Sequence, residues 1–284
     1  MSIIKKINAS GDIIHVGGAW DVMSALLVQN SKYDAIWLSG LGLSVSRKGR
    51  PDASIITFSD IIDVTYHMSN VVSIPIIVDM DSGFGNAINI FYFIKELVKA
   101  GASGVCIEDN VFPKSNSFYN CIRKDLVSPQ EMQNKIRAAK DSATESFSVI
   151  ARNESLIVGS VIEDALERCY AYEEAGADGL VVHTAEWGLL DKFLEQWTGK
   201  VPLVCIPTKM PQVSINEFRR RGFAMLIFAN QALRATIKSS KEILVEIREN
   251  GLSQSVENKI STVQDVFDLV NMDLLSQLEQ EYLC

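Results

Sequence analysis

Short runs of β-branched and other apolar residues recur along the whole chain. Longer stretches with an apolar residue at every third or fourth position separate them. The short runs predict strands at 13–17, 35–39, 74–79, 104–108, 148–152, 179–183, 202–206 and 225–228. The longer stretches predict helices at 19–29, 59–69, 87–100, 129–143, 162–175, 186–197 and 213–221. Two of these helices run into the same signal, Ala100-Gly101-Ala102 and Ala175-Gly176-Ala177, where glycine supplies a left-handed cap. Strand–helix repetition of this kind predicts a parallel sheet with right-handed crossovers. About eight such units in 284 residues favour an α/β chain closed as a (β/α)8 TIM barrel over an open doubly wound sheet. No GxGxxG opens the first crossover, which argues against dinucleotide binding. Residues 1–284 read as one barrel domain with a C-terminal helical extension over about 232–284. Within the extension, 232–249 and 262–282 carry helical spacing. The linker 250–259 would let the last helix pack on a partner subunit or close its own barrel. Two segments break the rhythm, 40–57 and 110–128, and both read as long polar loops. Loops of that length after strand ends are usually functional in barrel enzymes.

The bulk composition narrows the classes. Apolar residues make up 47% and charged residues 22%, the profile of a soluble globular enzyme. A net charge of −8 and a pI near 5.0 argue against a nucleic-acid binder, which needs a basic face. They leave small anionic ligands open. No apolar run is long enough to span a bilayer. The first residues show no secretory h-region, and the five cysteines (106, 121, 169, 205, 284) form no CxxC, so the expectation is a reduced, cytoplasmic protein. Only three histidines exist, which disfavours a multi-His zinc site.

The chemistry gathers at the C-terminal ends of the predicted strands. The third strand runs into Asp79-Met80-Asp81-Ser82-Gly83-Phe84-Gly85-Asn86. Alternation puts Asp79 and Asp81 on one side of it. Two like charges there are costly without a compensating cation, and Mg²⁺ is commonly held by one or two carboxylates plus substrate oxygens. The other strand ends deliver Trp37, Ser39, Gly40 and Leu41, then Glu108 and Asp109, then Arg152 and Glu154, then His183, then Thr208 and Lys209, and finally Asn230. Together they predict a carboxylate cluster around a cation, with Arg152 and His183 facing an anionic substrate.

Four segments, 79–86, Ile107-Glu108-Asp109-Asn110 through Lys114-Ser115-Asn116-Ser117, Ile150-Ala151-Arg152, and Val182-His183, resemble the phosphoenolpyruvate mutases of the isocitrate lyase and phosphoenolpyruvate mutase superfamily. The resemblance covers nearly the whole chain, from Gly17-Gly18-Ala19-Trp20-Asp21 onward. It implies a (β/α)8 barrel whose last helix swaps between subunits of a homotetramer, a dimer of dimers. It implies Mg²⁺ held mainly by Asp79, with Asp81 and Glu108 acting through bound waters. It implies a small-molecule substrate, phosphoenolpyruvate or phosphonopyruvate, and a catalytic set of Asp52, Asn116, Arg152 and His183. Trp37, Ser39, Lys114, Ser117 and the backbone N–H groups of Gly40 and Leu41 would complete substrate binding. The resemblance also implies that Asn116 and Ser117 lie on a segment that closes over the substrate, and Asp52 on the mobile loop after the second strand. One position departs from the mutase pattern, which has Lys where this chain has Asn110. Phosphonopyruvate hydrolases tend to have Thr where this chain has Asn116. The related C–C bond lyases carry a Cys-Gly-His segment that is missing here, and Cys121 reads as incidental.

Overall fold

The computed structural model describes Ile4, residues 12–117, Tyr119 and residues 125–283. Eight strands form: β1 (Ile14–Ala19), β2 (Ala35–Leu38), β3 (Ile76–Asp79), β4 (Gly104–Glu108), β5 (Ser148–Asn153), β6 (Gly179–Val182), β7 (Leu203–Cys205) and β8 (Phe223–Phe228). They pair in parallel, in chain order, and β8 returns to β1 to close the ring. Outside the strands lie α1 (Val22–Asn30), α2 (Gly40–Leu43), α3 (Phe58–Ser69), α4 (Ala87–Lys99), α5 (Pro129–Ser142), α6 (Ile162–Glu174), α7 (Trp187–Gln196) and α8 (Ile215–Arg220). This is the (β/α)8 barrel that the alternating pattern predicts.

Strand alternation sorts the core in two. Ile36, Leu38, Val78, Val105, Ile107, Val149, Ala151 and Leu180 join the helices in the outer core. Their neighbours Val16, Trp37, Ile77, Cys106, Ile150, Val181, Val204 and Ile227 fill a second cluster inside the ring. Two residues further along each strand path stand Gly18, Ser39, Asp79, Glu108, Arg152, His183, Ile206 and Ala229. A side-chain period of two keeps these on the interior side. On β3 to β6 the barrel interior therefore turns from apolar to polar or charged within one step, while β1, β7 and β8 stay small or apolar.

Local capping explains where helices start. The expected start of α1 at 19 moves to Val22 because Asp21 accepts the Ser24 N–H at 2.7 Å while Ser24 Oγ accepts from Trp20 and Asp21. Thr57 and Asn86 close similar capping boxes on α3 and α4. One expectation is corrected. Residues 40–48 are helical rather than loop: Ser39 caps α2, and a wider π-helical turn, Ser44–Lys48, follows until Gly49 ends it at φ +58°. Burial of Gly42, Leu43 and Ser44 outweighs the weak helix propensity of this stretch.

A second compact unit begins at Leu233, in the first turn of α9 (Gln231–Asn250). It continues through a 3₁₀ turn (Glu257–Lys259) to α10 (Val263–Leu269) and α11 (Met272–Tyr282). The expected helical stretch 262–282 is split, because Asn271 adopts φ +55°. Leu274, Leu275 and Leu278 of α11 are exposed. No helix among the described residues is long and apolar enough to cross a membrane. Cys106, Cys169 and Cys205 are buried free thiols, whereas Cys121 and Cys284 lie outside the described residues.

Candidate active site

A pocket of about 550 Å³, its open mouth included, lies at the C-terminal ends of the strands. Trp37, Ser39, Leu41, Asp52, Asp79, Lys114, Asn116, Ser117, Arg152 and His183 line it. Ile206, Thr208, Ala229 and Asn230 complete the wall. Ten of the thirteen residues singled out from the sequence thus share one cavity. The other three, Gly40, Asp81 and Glu108, pack directly against residues that line it.

The carboxylate pair forms by a route that strand alternation does not describe. β3 ends at Asp79, and Asp81 sits in a left-handed turn at φ +48°. The turn is pinned by Met80 N–H to Cys106 O (3.0 Å) and Glu108 N–H to Asp81 O (2.9 Å). Both carboxylates nevertheless converge on the backbone of Gly40. A Cβ built there would meet Asp81 Oδ1 at 3.1 Å and Asp79 Oδ2 at 3.3 Å. The Gly40 N–H is donated to Asp79 Oδ2 at 3.3 Å. Glycine at 40 is what keeps the space between these oxygens open.

Charge in this region is unbalanced. Lys114 Nζ pairs with Asp81 Oδ1 (2.5 Å) and Asp52 Oδ1 (3.0 Å), all three side chains being nearly inaccessible. Burial alone would lower the Lys114 ammonium, but the surrounding carboxylates outweigh it and hold it well above its ordinary range. Burial pushes the Asp81 carboxyl up to about 6, Lys114 opposing and Asp79 and Asp52 adding to the rise. Burial likewise pushes Glu108 up to about 8, against the pull of Lys114 and Arg152. Asp52, Asp79, Asp81, Glu108 and Glu154 outnumber Lys114 and Arg152, an excess that protons on the raised Asp81 and Glu108 carboxyls reduce and that a further cation would also meet. These all-oxygen donors around a cradle that a methyl group would fill suit a small hard divalent ion. Among the described residues no three acid, His or Cys side chains cage a metal alone. Mg²⁺ ordinarily uses one or two carboxylates and keeps waters, and Asp79 and Asp81 supply that many.

The opposite wall is cationic. Arg152 pairs with Glu154 through Nε, lies 3.7 Å from Glu108 Oε2, and donates from one terminal nitrogen to Ser117 Oγ at 3.0 Å. That nitrogen is also 2.9 Å from His183 Nδ1. Burial lowers His183 from its ordinary range, Glu154 opposing and Arg152 adding to the fall, so the imidazole is neutral near pH 7. On the third side, Asn116 Nδ2 donates to Asp52 Oδ2 at 3.4 Å. Asn230 Nδ2 donates to Thr208 Oγ1 at 3.2 Å.

Further residues take part, and of these the sequence reading leaves out Ser54, Arg168 and Tyr172. Ser54 accepts the Lys114 N–H (3.1 Å) and donates to Asp81 Oδ2 (3.3 Å), tying the loop after β2 to the loop after β4. Only its φ of +54° distinguishes it, and the sequence does not carry that signal. Asp109 is fully buried behind the pocket and accepts from Glu154 N (2.8 Å), Tyr172 Oη (2.6 Å) and Arg168 (3.2 Å). Asn110, the departure from the mutase pattern, is buried and donates from Nδ2 to Glu108 Oε1 at 3.1 Å. Thr208, Asn230 and Glu154 all occupy strand ends, the position from which the sequence names them.

Fold and pocket define the class, a (β/α)8 barrel of the kind that acts on small molecules, with its charged pocket at the strand ends. The profile of the family described as Phosphoenolpyruvate phosphomutase matches residues 4–248, and the chain belongs to that family, within the isocitrate lyase/phosphoenolpyruvate mutase superfamily. It is 34% identical over 283 residues to a phosphoenolpyruvate phosphomutase of Tetrahymena pyriformis, covering 99% of this chain and 94% of that one. It is 35% identical over 278 residues to a phosphonopyruvate hydrolase of Variovorax sp. (strain Pal2), covering 96% of each. The solved structure of a phosphonopyruvate hydrolase complex with oxalate and Mg²⁺ superposes with a TM-score of 0.92 at 33% identity, over the full length of both chains.

Proposed function

We propose that this chain is a phosphoenolpyruvate mutase, which interconverts phosphoenolpyruvate and phosphonopyruvate with Mg²⁺. The observation that carries the reading is Asn116, a pocket-lining carboxamide hydrogen-bonded to Asp52, where hydrolases of the family tend to have threonine.

In phosphonopyruvate the P–C3 bond breaks and its electron pair becomes the C2=C3 double bond of the enolate. The enolate oxygen then takes the phosphoryl group, and no proton is gained or lost. Arg152 and His183 grip the phosphoryl oxygens while charge spreads over them. Arg152 also holds the carboxylate, and the backbone at Gly40 and Leu41 lines the keto end. Asp52, Lys114 and Asn116 shut the pocket against water, which would otherwise intercept the phosphoryl group. Asp79, with Asp81 and Glu108 through waters, would hold Mg²⁺, which when bound stabilises negative charge on the enolate oxygens.

A second reading has one observation in its favour, the equal similarity to a phosphonopyruvate hydrolase. There water forms the new P–O bond, the P–C bond breaks, and C3 is protonated to give pyruvate. ³¹P NMR of phosphonopyruvate with enzyme and Mg²⁺ separates the two. The phosphoenolpyruvate signal is expected, and inorganic phosphate would replace the mutase reading with the hydrolase one. The family reading also carries a cytoplasmic homotetramer, a dimer of dimers with α11 exchanged between subunits. The exposed leucines of α11 support that exchange. Light scattering behind size-exclusion chromatography tests the assembly, and a monomer mass would remove it.

A further inference from the structure

Glu154 lies just beyond β5, on a backbone whose N–H is fixed by Asp109 Oδ1 at 2.8 Å. Its side chain is completely buried. One carboxylate oxygen, Oε1, meets both groups assigned to the phosphoryl: Arg152 through Nε, and His183 Nδ1 at 2.7 Å. His183 Nδ1 therefore stands between an acceptor, Glu154, and a donor, the Arg152 terminal nitrogen at 2.9 Å. An imidazole nitrogen either carries a proton or accepts one, never both. Arg152 has other acceptors in Glu154 and Ser117 Oγ. A carboxylate facing a bare nitrogen lone pair at hydrogen-bond distance would instead be repelled.

We propose that Glu154 is the positioning residue of this site, holding the proton of His183 on Nδ1 and aligning the Arg152 guanidinium beside it, so that Nε2 meets the phosphoryl group as an acceptor, taking the hydrogen bond of a singly protonated phosphoryl oxygen. The carboxylate–imidazole pairing fixes tautomer and ring orientation, as such pairs do at other buried histidines. Burial raises the Glu154 carboxyl, but Arg152 and then His183 outweigh it and hold it well below the ordinary carboxylate range. The acceptor is thus charged throughout the neutral range. Glu154 does not itself line the pocket; it acts through Arg152, His183 and Ser117, which do. The kinetic part of this assignment rests on the proposed reaction, and the tautomer part does not.

The chain has three histidines, so imidazole ¹⁵N NMR of the full-length protein, with His183→Gln for assignment, reads the ring directly. A pyrrole-like Nδ1 and a pyridine-like Nε2 are expected for His183 without ligand. A pyridine-like Nδ1 in the unsubstituted protein overturns the proposal without recourse to any variant. In Glu154→Gln the Nδ1–H preference should weaken, and kcat on phosphonopyruvate should fall about 10- to 100-fold with a smaller change in KM. An unchanged His183 spectrum in that variant also overturns the proposal. If the unsubstituted enzyme turns over no phosphonopyruvate, the proposed reaction fails while the tautomer result still decides the role of Glu154.

Discussion

Asp81 and Glu108 hold their protons far more tightly in the fold than in the unfolded chain, where carboxyls titrate in the ordinary range. Their contribution to stability is full below that range and is lost as pH rises through about 6 for Asp81 and about 8 for Glu108. Metal-free protein should therefore melt at progressively lower temperature between about pH 5 and pH 8. Added Mg²⁺ should restore more at the alkaline end, because it replaces the missing protons. Differential scanning fluorimetry across that range, with and without Mg²⁺, checks both; a melting temperature flat in pH would contradict the charge imbalance. Asn110 belongs to the same account, since its amide donates to Glu108 where the related mutases have a cation. Asn110→Ala should cost about 1–3 kcal/mol in denaturant unfolding, the penalty of stripping a donor from a buried acid. A cost near zero would mean that Glu108 is satisfied by other groups.

Elements position these residues more strictly than their own chemistry does. α2 brings the Gly40 backbone against the carboxylates of Asp79 and Asp81, with no room for a methyl group unless a carboxylate gives way. Gly40→Ala should leave the melting temperature nearly unchanged while raising the Mg²⁺ concentration for half-maximal activity about tenfold or more. An unaltered Mg²⁺ dependence would detach Gly40 from the cation site. α6 supplies Arg168 and Tyr172, both bonded to buried Asp109. Arg168→Met leaves that carboxylate short of its cation and should destabilise by about 3 kcal/mol in chemical unfolding. Arrival of α6 and its partners was readable from periodicity, because apolar spacing of three to four marks a covered face. Their first residues were not, because caps such as Asp21–Ser24 depend on which hydroxyl meets which N–H. The helix over 40–43 was hidden by its glycines, and the break at Asn271 by a single left-handed residue.

Across the molecule, the legible part of the site is the part that alternation governs. Asp79, Glu108, Arg152 and His183 follow apolar interior residues at a spacing of two, so knowing the strands was enough to gather them. What alternation does not govern stayed hidden in whole or in part. Ser54 joins two loops 60 residues apart in sequence, Asp81 was named but reaches the cluster through a turn rather than by alternation, and Glu154 was named at its strand end without its burial behind the groups it serves. The second unit, from Leu233, was legible as helices.

The ion pair of Lys114 has a consequence for how such a site is loaded. Lys114 rides on the segment after β4, yet its ammonium neutralises Asp52 and Asp81 from other loops. Displacing that segment removes a positive charge from the carboxylates and so sharpens their appetite for a divalent ion. By reciprocity, an ion seated on those carboxylates weakens their hold on the segment by the same free energy. Ammonium and divalent ion are thus rivals for the same two carboxylates.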